Sequence, residues 1–310
     1  MREYDVDVEE LGPAVGIDVV RVARPKILLI SFTTMLLLVC YVGYEFFLFN
    51  DGRLHVIFCN VGQGDGIVVR TPQGSLLIND GGPDDSIVHC LSTHAPFWER
   101  TISLMLLTHP HADHLNGLVS VLDRYSVLYF GTEKLTNDTA GFRELTKTVL
   151  RDRIPVRYLY AGSKIKTRDK VNIQIIGPTR EFITLTSPNG IVGEKKEFAS
   201  LITHISYGSF DVVLTGDSQA EELKEAVGLG SLYSVEILQV PHHGSKTGLD
   251  EEVVDMIHPR LAVISVGKNK YGHPSPRALQ ILSDKDIRIL RTDQHGDIEI
   301  ISDGKTWEVK

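Results

Sequence analysis

Residues 27–44 read ILLISFTTMLLLVCYVGY without one charged side chain, and after Glu45 the apolar run resumes through Phe46, Phe47, Leu48 and Phe49. A helix rises 1.5 Å per residue, so about 20 apolar residues cross a hydrocarbon layer ~30 Å thick. A helix buried in a soluble core would normally carry a polar face, and this one has none. A cleaved signal peptide would be followed by small residues, whereas the flank here is Tyr44-Glu45-Phe46-Phe47. The segment 27–49 is therefore read as an uncleaved transmembrane anchor between a tail, 1–26, and a folded domain, 51–310. Arg2, Arg21, Arg24 and Lys26 precede the span, and only Arg53 and Arg70 occur in the twenty residues after it. The positive-inside rule then expects a cytoplasmic tail and a single-pass cell-membrane protein whose domain is extracytoplasmic.

The chain has 310 residues, 42% hydrophobic and 23% charged, enough apolar material for a core and too much for a disordered or coiled-coil chain. A formal net charge of -8 argues against coating nucleic acid by bulk charge. One local exception runs from Lys147 to Lys170, where Lys147, Arg151, Arg153, Arg157, Lys164, Lys166, Arg168 and Lys170 face only two acidic residues. Such a stripe is either a solvated face or a track for a phosphate backbone. The three cysteines, Cys40, Cys59 and Cys90, form no C-x-x-C pair and are too few for a disulfide framework, so they say little about redox compartment.

Beyond the anchor, strand-like and helix-like patterns alternate. Strands are expected at 54–59, 66–71, 74–80 and 102–108, the last a continuous apolar run of the kind buried on both faces. Helical spacing follows at 114–125 and 143–152. The second half repeats the theme: a hairpin, 200–208 with 210–217, turning at Gly208-Ser209; strands at 235–241 and 260–267; helices at 220–228 and 250–258. A further helix opens at Pro274, and strands at 287–290 and 297–301 close the chain. Sheets interleaved with helices predict a layered α/β sandwich without a long linker.

Three of twelve histidines fall within six residues, in Thr108-His109-Pro110-His111-Ala112-Asp113-His114. The array sits where an apolar strand ends and a helix begins. There His109 and His111 can converge on one point while Asp113 and His114 turn toward a second. Neutral imidazoles with a carboxylate suit a divalent cation such as zinc or manganese. Asp217 ends another strand and has two oxygens with which to bridge two cations. Val240-Pro241-His242-His243-Gly244-Ser245 follows a third strand and offers two more imidazoles. Asp80, at the end of its strand before Gly81-Gly82, is placed to orient a ligating histidine rather than to bind metal itself. Gly62, Gly64 and Gly66 lie between two strands rather than before a helix, which excludes a dinucleotide fingerprint and fits a hairpin. Asp65 in that hairpin either nears the metal site or structures the turn. His204 reads as structural. His273, after another strand, is a candidate contact for a substrate phosphate.

HPHADH, LTGD and VPHHGS, in this order after an N-D-G-G strand end, resemble the metallo-β-lactamase superfamily. VGQGDG (61–66), VISVGKNKYGHPSP (263–276) and RTDQHGDIEI (291–300) narrow the resemblance to the C-terminal domain of ComEC-type DNA-internalisation competence proteins, over roughly residues 53–302. The resemblance implies a four-layer αββα sandwich with a metal centre at one edge. His109 and His111 would hold a first cation, Asp113 and His114 a second, and Asp217 would bridge them. The last ligand would be His243 rather than His242, because the family's histidine stands just before a small residue. The pattern departs from the family in places. The third histidine found before the strand leading to Asp217 is absent; the stretch reads Glu194-Lys195-Lys196-Glu197-Phe198-Ala199-Ser200, and Glu197 is either a substitute ligand or a loop charge. Asn60 stands where the family has Asp. Competence proteins of this type carry many membrane helices, so a chain with one span is expected to work beside a separate DNA-uptake channel protein.

The expectation is thus a metal-dependent hydrolase with one or two divalent cations per chain, acting on phosphodiester bonds, DNA among them. Asp113 or a bound water would serve as proton shuttle and His273 as substrate contact, with no serine or cysteine nucleophile. An extracytoplasmic phosphocholine esterase or lactonase with the same centre is one alternative. A non-catalytic envelope protein that binds DNA or a partner is the other. Oligomeric state is not legible.

Overall fold

A computed structural model describes residues 24–193, 199–230, 232 and 234–310. The chain divides into two units, residues 1–46 and 47–310. Helix α1 (Arg24–Phe49), most of which lies in the first, contains the uncharged run, and its apolar side chains are largely exposed, Leu28 and Leu37 each to 70%. The stretch Lys26–Phe49 is long and apolar enough to cross a membrane.

The second unit opens on strands β1 (Leu54–Phe58), β2 (Gly66–Arg70) and β3 (Leu76–Gly81), then α2 (Ser86–His94), β4 (Thr101–Leu107) and α3 (Ala112–Leu122). Next come β5 (Ser126–Val127), β6 (Phe130–Thr132), α4 (Ala140–Arg151), β7 (Val156–Tyr158), β8 (Lys164–Lys166), β9 (Asn172–Gly177) and α5 (Arg180–Thr186). The second half holds β10 (Ile202–Tyr207), β11 (Phe210–Leu214), α6 (Ala220–Gly230), β12 (Ile237–Gln239), α7 (Glu251–Ile257) and β13 (Leu261–Ile264). It ends with α8 (Pro276–Ser283), β14 (Arg288–Arg291), α9 (Thr292–His295), β15 (Ile298–Ser302) and β16 (Trp307–Val309).

Two sheets form. The first runs β16-β15-β1-β2-β3-β4-β6-β7, with β5 beside β4, and the second β14-β13-β12-β11-β10-β9-β8. Strand alternation explains the layering. Leu54, Val56 and Phe58 of β1 point into a core shared with Phe210, Val212 and Leu214 of β11, whereas Ile57 points the other way, toward Ile87, Leu91 and Leu118 on α2 and α3. Val213, Leu238, Ala262 and Ile264 likewise leave the central core and pack on Leu223, Val253 and Leu282 from α6, α7 and α8. Each central strand is thus buried on both faces, between the opposite sheet and a helical layer. The result is the expected αββα sandwich.

The hairpin turns where expected, with Tyr207 opposite Phe210 across Gly208-Ser209. Helix α3 starts two residues earlier than the periodicity suggests, at Ala112, because His111 takes the extended conformation of an N-cap. Among the three cysteines one bridge forms: Cys59, just past β1, and Cys90, on α2, are joined in a disulfide, leaving Cys40 free. Their separation of 31 residues hid a proximity made by packing α2 onto the first sheet. The basic stripe is also divided. Lys147 and Arg151 on α4 pair with Glu144 and Asp152, while Arg157, Lys164 and Lys166 stand on the edge strands β7 and β8.

Candidate metal centre

Strands that run parallel end together, and the ends of β3, β4, β11 and β12 bring the polar motifs to one edge of the sandwich. His109 follows β4 and is fully buried. Its Nε2 lies 2.9 Å from His111 Nδ1, and its Nδ1 faces Thr108 Oγ1 at 3.1 Å and Ser200 Oγ at 3.4 Å. Asp113 and His114 occupy the first turn of α3. Asp80, in the left-handed region at φ 60°, accepts hydrogen bonds from Thr108 N at 2.8 Å and Thr108 Oγ1 at 2.7 Å. Its Oδ2 lies 2.9 Å from His114 Nδ1, which leaves His114 Nε2 turned toward the cleft. Asp80 therefore orients a histidine, as expected from its strand-end position.

Asp217 is the hub. Its backbone N–H donates to Ser200 Oγ at 3.1 Å, and Ser200 N in turn donates to the buried Glu222 at 3.1 Å. Gly216 before it has φ 50°, and a Cβ there would meet Ser200 Oγ at 2.5 Å, so the tight approach requires glycine. The two carboxylate oxygens face different partners. Oδ1 lies 3.3 Å from His114 Nε2 and 3.4 Å from His243 Nε2. Oδ2 lies 3.7 Å from His109 Nε2 and 3.5 Å from His242 Nε2. His242 and His243 both adopt left-handed backbone, φ 52° and 55°, a strained pair that splays their rings to opposite oxygens of one carboxylate. His243 Nδ1 bonds to Ser265 O at 3.0 Å, which fixes its ring. Asp113 Oδ2 approaches His243 Nε2 at 3.6 Å.

These contacts define two groups. Ligand atoms of Asp113, His114, Asp217 and His243 lie within 4.8 Å of one another, and so do those of His109, His111 and Asp217. A third group, Asp65, Asp80 and His114, lies behind them. Asp65 settles its two readings: it is buried, 3.5 Å from His243 Nδ1 and 3.8 Å from His114 Nδ1, and its backbone N–H donates to Asp113 O. His273 is half-buried and stacked on His242 with ring centroids 5.7 Å apart. His204 pairs with Asp211 at 3.0 Å in the hairpin, away from these residues. Glu197 lies outside the described residues.

Charge and burial compete at each group. Burial pushes the His109 and His111 imidazoles below their ordinary range, His109 strongly, with neighbouring His114 adding to the effect. Burial acts the same way on His114 and His243, but the Asp217 carboxylate, aided by Asp80 and Asp65, outweighs it and raises both. Burial works against the charged forms of Asp113 and Asp217 as well, yet the surrounding imidazoles hold both below the usual carboxylate range.

Asp217 Oδ1, His114 Nε2, His243 Nε2 and both oxygens of Asp65 are buried without a hydrogen-bond partner. Leaving several such atoms unsatisfied costs about 1–3 kcal/mol each. Nitrogen lone pairs and carboxylate oxygens converging at these distances are what a divalent cation satisfies. The His/Asp clusters are thus suited to binding divalent metal, and all six ligands expected from the motifs are brought together. Sequence reasoning missed Thr108 and Ser200, which hydrogen-bond Asp80, His109 and Asp217, and Glu222, which accepts from Ser200 N.

The Metallo-beta-lactamase superfamily signature matches residues 59–268. The chain is 27% identical over 282 residues to ComE operon protein 3 of Bacillus subtilis (strain 168), covering 84% of this chain and 35% of that one. It is 25% identical over 276 residues to competence protein ComA of Neisseria gonorrhoeae, covering 86% and 35%. It spans about a third of the length of these relatives. Igni18, a metallo hydrolase from Ignicoccus hospitalis KIN4/I, shares the fold with a TM-score of 0.52 and 13% identity over 79% of this chain and 98% of its own. With the sandwich, the His/Asp clusters at its edge and the matched span in agreement, the chain belongs to the metallo-beta-lactamase superfamily.

Proposed function

We propose that this protein is a membrane-anchored phosphodiesterase that uses a pair of divalent cations, zinc or manganese, with DNA among its substrates. The observation that carries the reading is Asp217, whose two oxygens face separate imidazole sets. In this reading His109, His111 and Asp217 hold one cation, and Asp113, His114, Asp217 and His243 hold the other. Bound cations would lower the pKa of a water to near neutrality and neutralise charge on phosphoryl oxygens, as paired metals do in phosphatases and nucleases. The protein's own groups do the rest. Asp80 fixes the His114 tautomer, Ser265 O fixes that of His243, and Ser200 holds the Asp217 loop. Asp113, with its side chain 35% exposed at the cleft, is placed to take the proton released by the attacking water. His273 beside His242 is placed to meet a phosphoryl oxygen.

The competence relatives favour a DNA-uptake setting, in which the chain would act beside a separate channel protein. The Cys59–Cys90 bridge favours an oxidising, extracytoplasmic compartment. The purified 310-residue chain reconstituted with manganese or zinc should hydrolyse bis(p-nitrophenyl) phosphate and a short DNA strand. Turnover of choline phosphoesters or lactones alone would transfer the centre to those chemistries, and no turnover of any ester would favour a binding role.

A further inference from the structure

The first sheet ends on β7 and the second on β8, and residues of both edge strands line one opening of the sandwich. A cavity of about 840 Å³ lies in that opening. Its floor is apolar, with Leu77, Leu104, Leu159 and Ile165, and its rim is not. Arg157, Lys164, Lys166 and Arg168 line it, all exposed, and no ion pair engages any of them among the described residues. Two large rings stand beside them, Tyr158 at 55% exposure and Tyr129 at 48%. The one carboxylate in the lining, Asp169, is already engaged by Gln73 N–H and Thr167 Oγ1.

Lysines on an exposed edge strand have an ordinary purpose, which is to block pairing with another chain. That alone would place Lys164 and Lys166 on β8, so they do not carry the inference, although in a nucleic-acid groove they would also meet phosphates. That purpose does not account for two half-exposed tyrosines, or for Arg157 and Arg168 around a concave apolar floor. Basic side chains interleaved with exposed aromatic rings along a groove are how proteins hold single-stranded nucleic acid: cations track the phosphates while unpaired bases stack on the rings. A duplex hides its base faces and could use only the charges.

The groove lies apart from the cations. Its walls use Ser75, Leu77, Ser103 and Leu104, toward the starts of β3 and β4, whereas Asp80 and His109 follow at their ends. Four residues of strand from Leu104 to Thr108 span about 13 Å.

From this juxtaposition we infer that the β7–β8 groove is a docking site for single-stranded nucleic acid, separate from the cation centre. The inference names the substrate class for the phosphodiesterase reading and rests on it for its role, but binding is measured without turnover. Anisotropy of a short fluorescein-labelled oligo(dT), with the 310-residue chain in detergent and EDTA present to stop cleavage, reads it directly. Tyr158→Ala should weaken binding about 5- to 100-fold and Tyr158→Phe should retain it, since stacking needs the ring and not the hydroxyl. Lys164→Gln with Lys166→Gln should flatten the log–log salt dependence by about 1.4, at about 0.7 per phosphate contact on single strands. The same variants should hydrolyse bis(p-nitrophenyl) phosphate at the wild-type rate. An inactive cation centre would sink the phosphodiesterase reading and leave this binding test standing. If the lysine pair weakens binding while Tyr158→Ala and Tyr129→Ala do not, the groove is a polyanion patch and the inference fails. It fails equally if none of these variants changes oligo(dT) affinity.

Discussion

Reducing the Cys59–Cys90 bridge should destabilise the domain by an amount set by the loop it closes. The two residues are 31 apart and both are buried. In the chain-entropy account, a closed loop of that length removes about 12 cal/mol/K from the unfolded ensemble, or about 3.7 kcal/mol at 25 °C. Cys59 lies at the start of the loop that carries Asp65, but that loop has its own ties. Cys59 N donates to Gly66 O at 2.8 Å and Asp65 N to Asp113 O at 3.2 Å. Reduction should therefore lower global stability while the native cation site keeps its shape. The assay is urea unfolding followed by the fluorescence of Trp98 and Trp307, with and without reductant. With a urea slope of about 2–3 kcal/mol/M, the midpoint should fall by about 1–2 M. A Cys59→Ala, Cys90→Ala variant should unfold at a similarly lowered midpoint and ignore the reductant. Coincident midpoints for oxidised and reduced wild-type protein would refute the reasoning.

The remaining predictions concern pH, packing and topology. Burial would lower the His94 imidazole, but Asp297 at 3.1 Å and Glu299 at 3.7 Å outweigh it and raise its pKa to about 9. The folded state then binds that proton more tightly than the unfolded one, so the stabilisation is complete below pH ~6.5 and is lost as pH rises through about 9. Urea titrations across that window should lose about 3 kcal/mol, and His94→Gln should flatten the curve; an equally steep loss in His94→Gln would assign it elsewhere. A Cβ on Gly117 would sit 1.8 Å from Gly81 O, so Gly117→Ala must push α3 off the end of β3. It should cost about 3 kcal/mol, whereas Gly228→Ala, with nothing within 4 Å, should stabilise α6 by up to about 1 kcal/mol. Equal thermal midpoints for the two variants would contradict that packing. A reporter fused after Lys310 should score as extracytoplasmic, and a cytoplasmic signal would overturn the orientation.

The central strands were legible because each is buried on both faces, which writes a continuous apolar run such as ISLMLLT into the sequence. Elements at the rim were not. β8 is Lys-Ile-Lys with one half-buried residue, and α2 buries only Ile87, Cys90 and Leu91, so neither projects a strong period. The return of β15 to pair with β1, Leu54 opposite Ser302, is a topological fact that no local pattern encodes. At the site, the candidate ligands could be read because HPHADH concentrates them and Asp217 and His243 follow apolar runs. Their supports could not. Thr108, Ser200 and Glu222 act through hydrogen bonds between segments far apart in the chain, and each is unremarkable in its local context. The disulfide escaped for the same reason. The basic stripe looked continuous in one dimension, yet folding puts Lys147 and Arg151 on a helix with acidic partners, Arg157, Lys164 and Lys166 on an open sheet edge, and the other three in turns.

The claim on which the rest depends is that Asp217 joins two cation sites. Metal content per chain, measured by elemental analysis after reconstitution and gel filtration, tests it most directly. Wild-type protein should retain two divalent ions per chain, Asp217→Ala should retain fewer than one, and His243→Ala should lose more metal than His242→Ala. A wild-type chain that retains no ion, or an Asp217→Ala chain that keeps both, would contradict it.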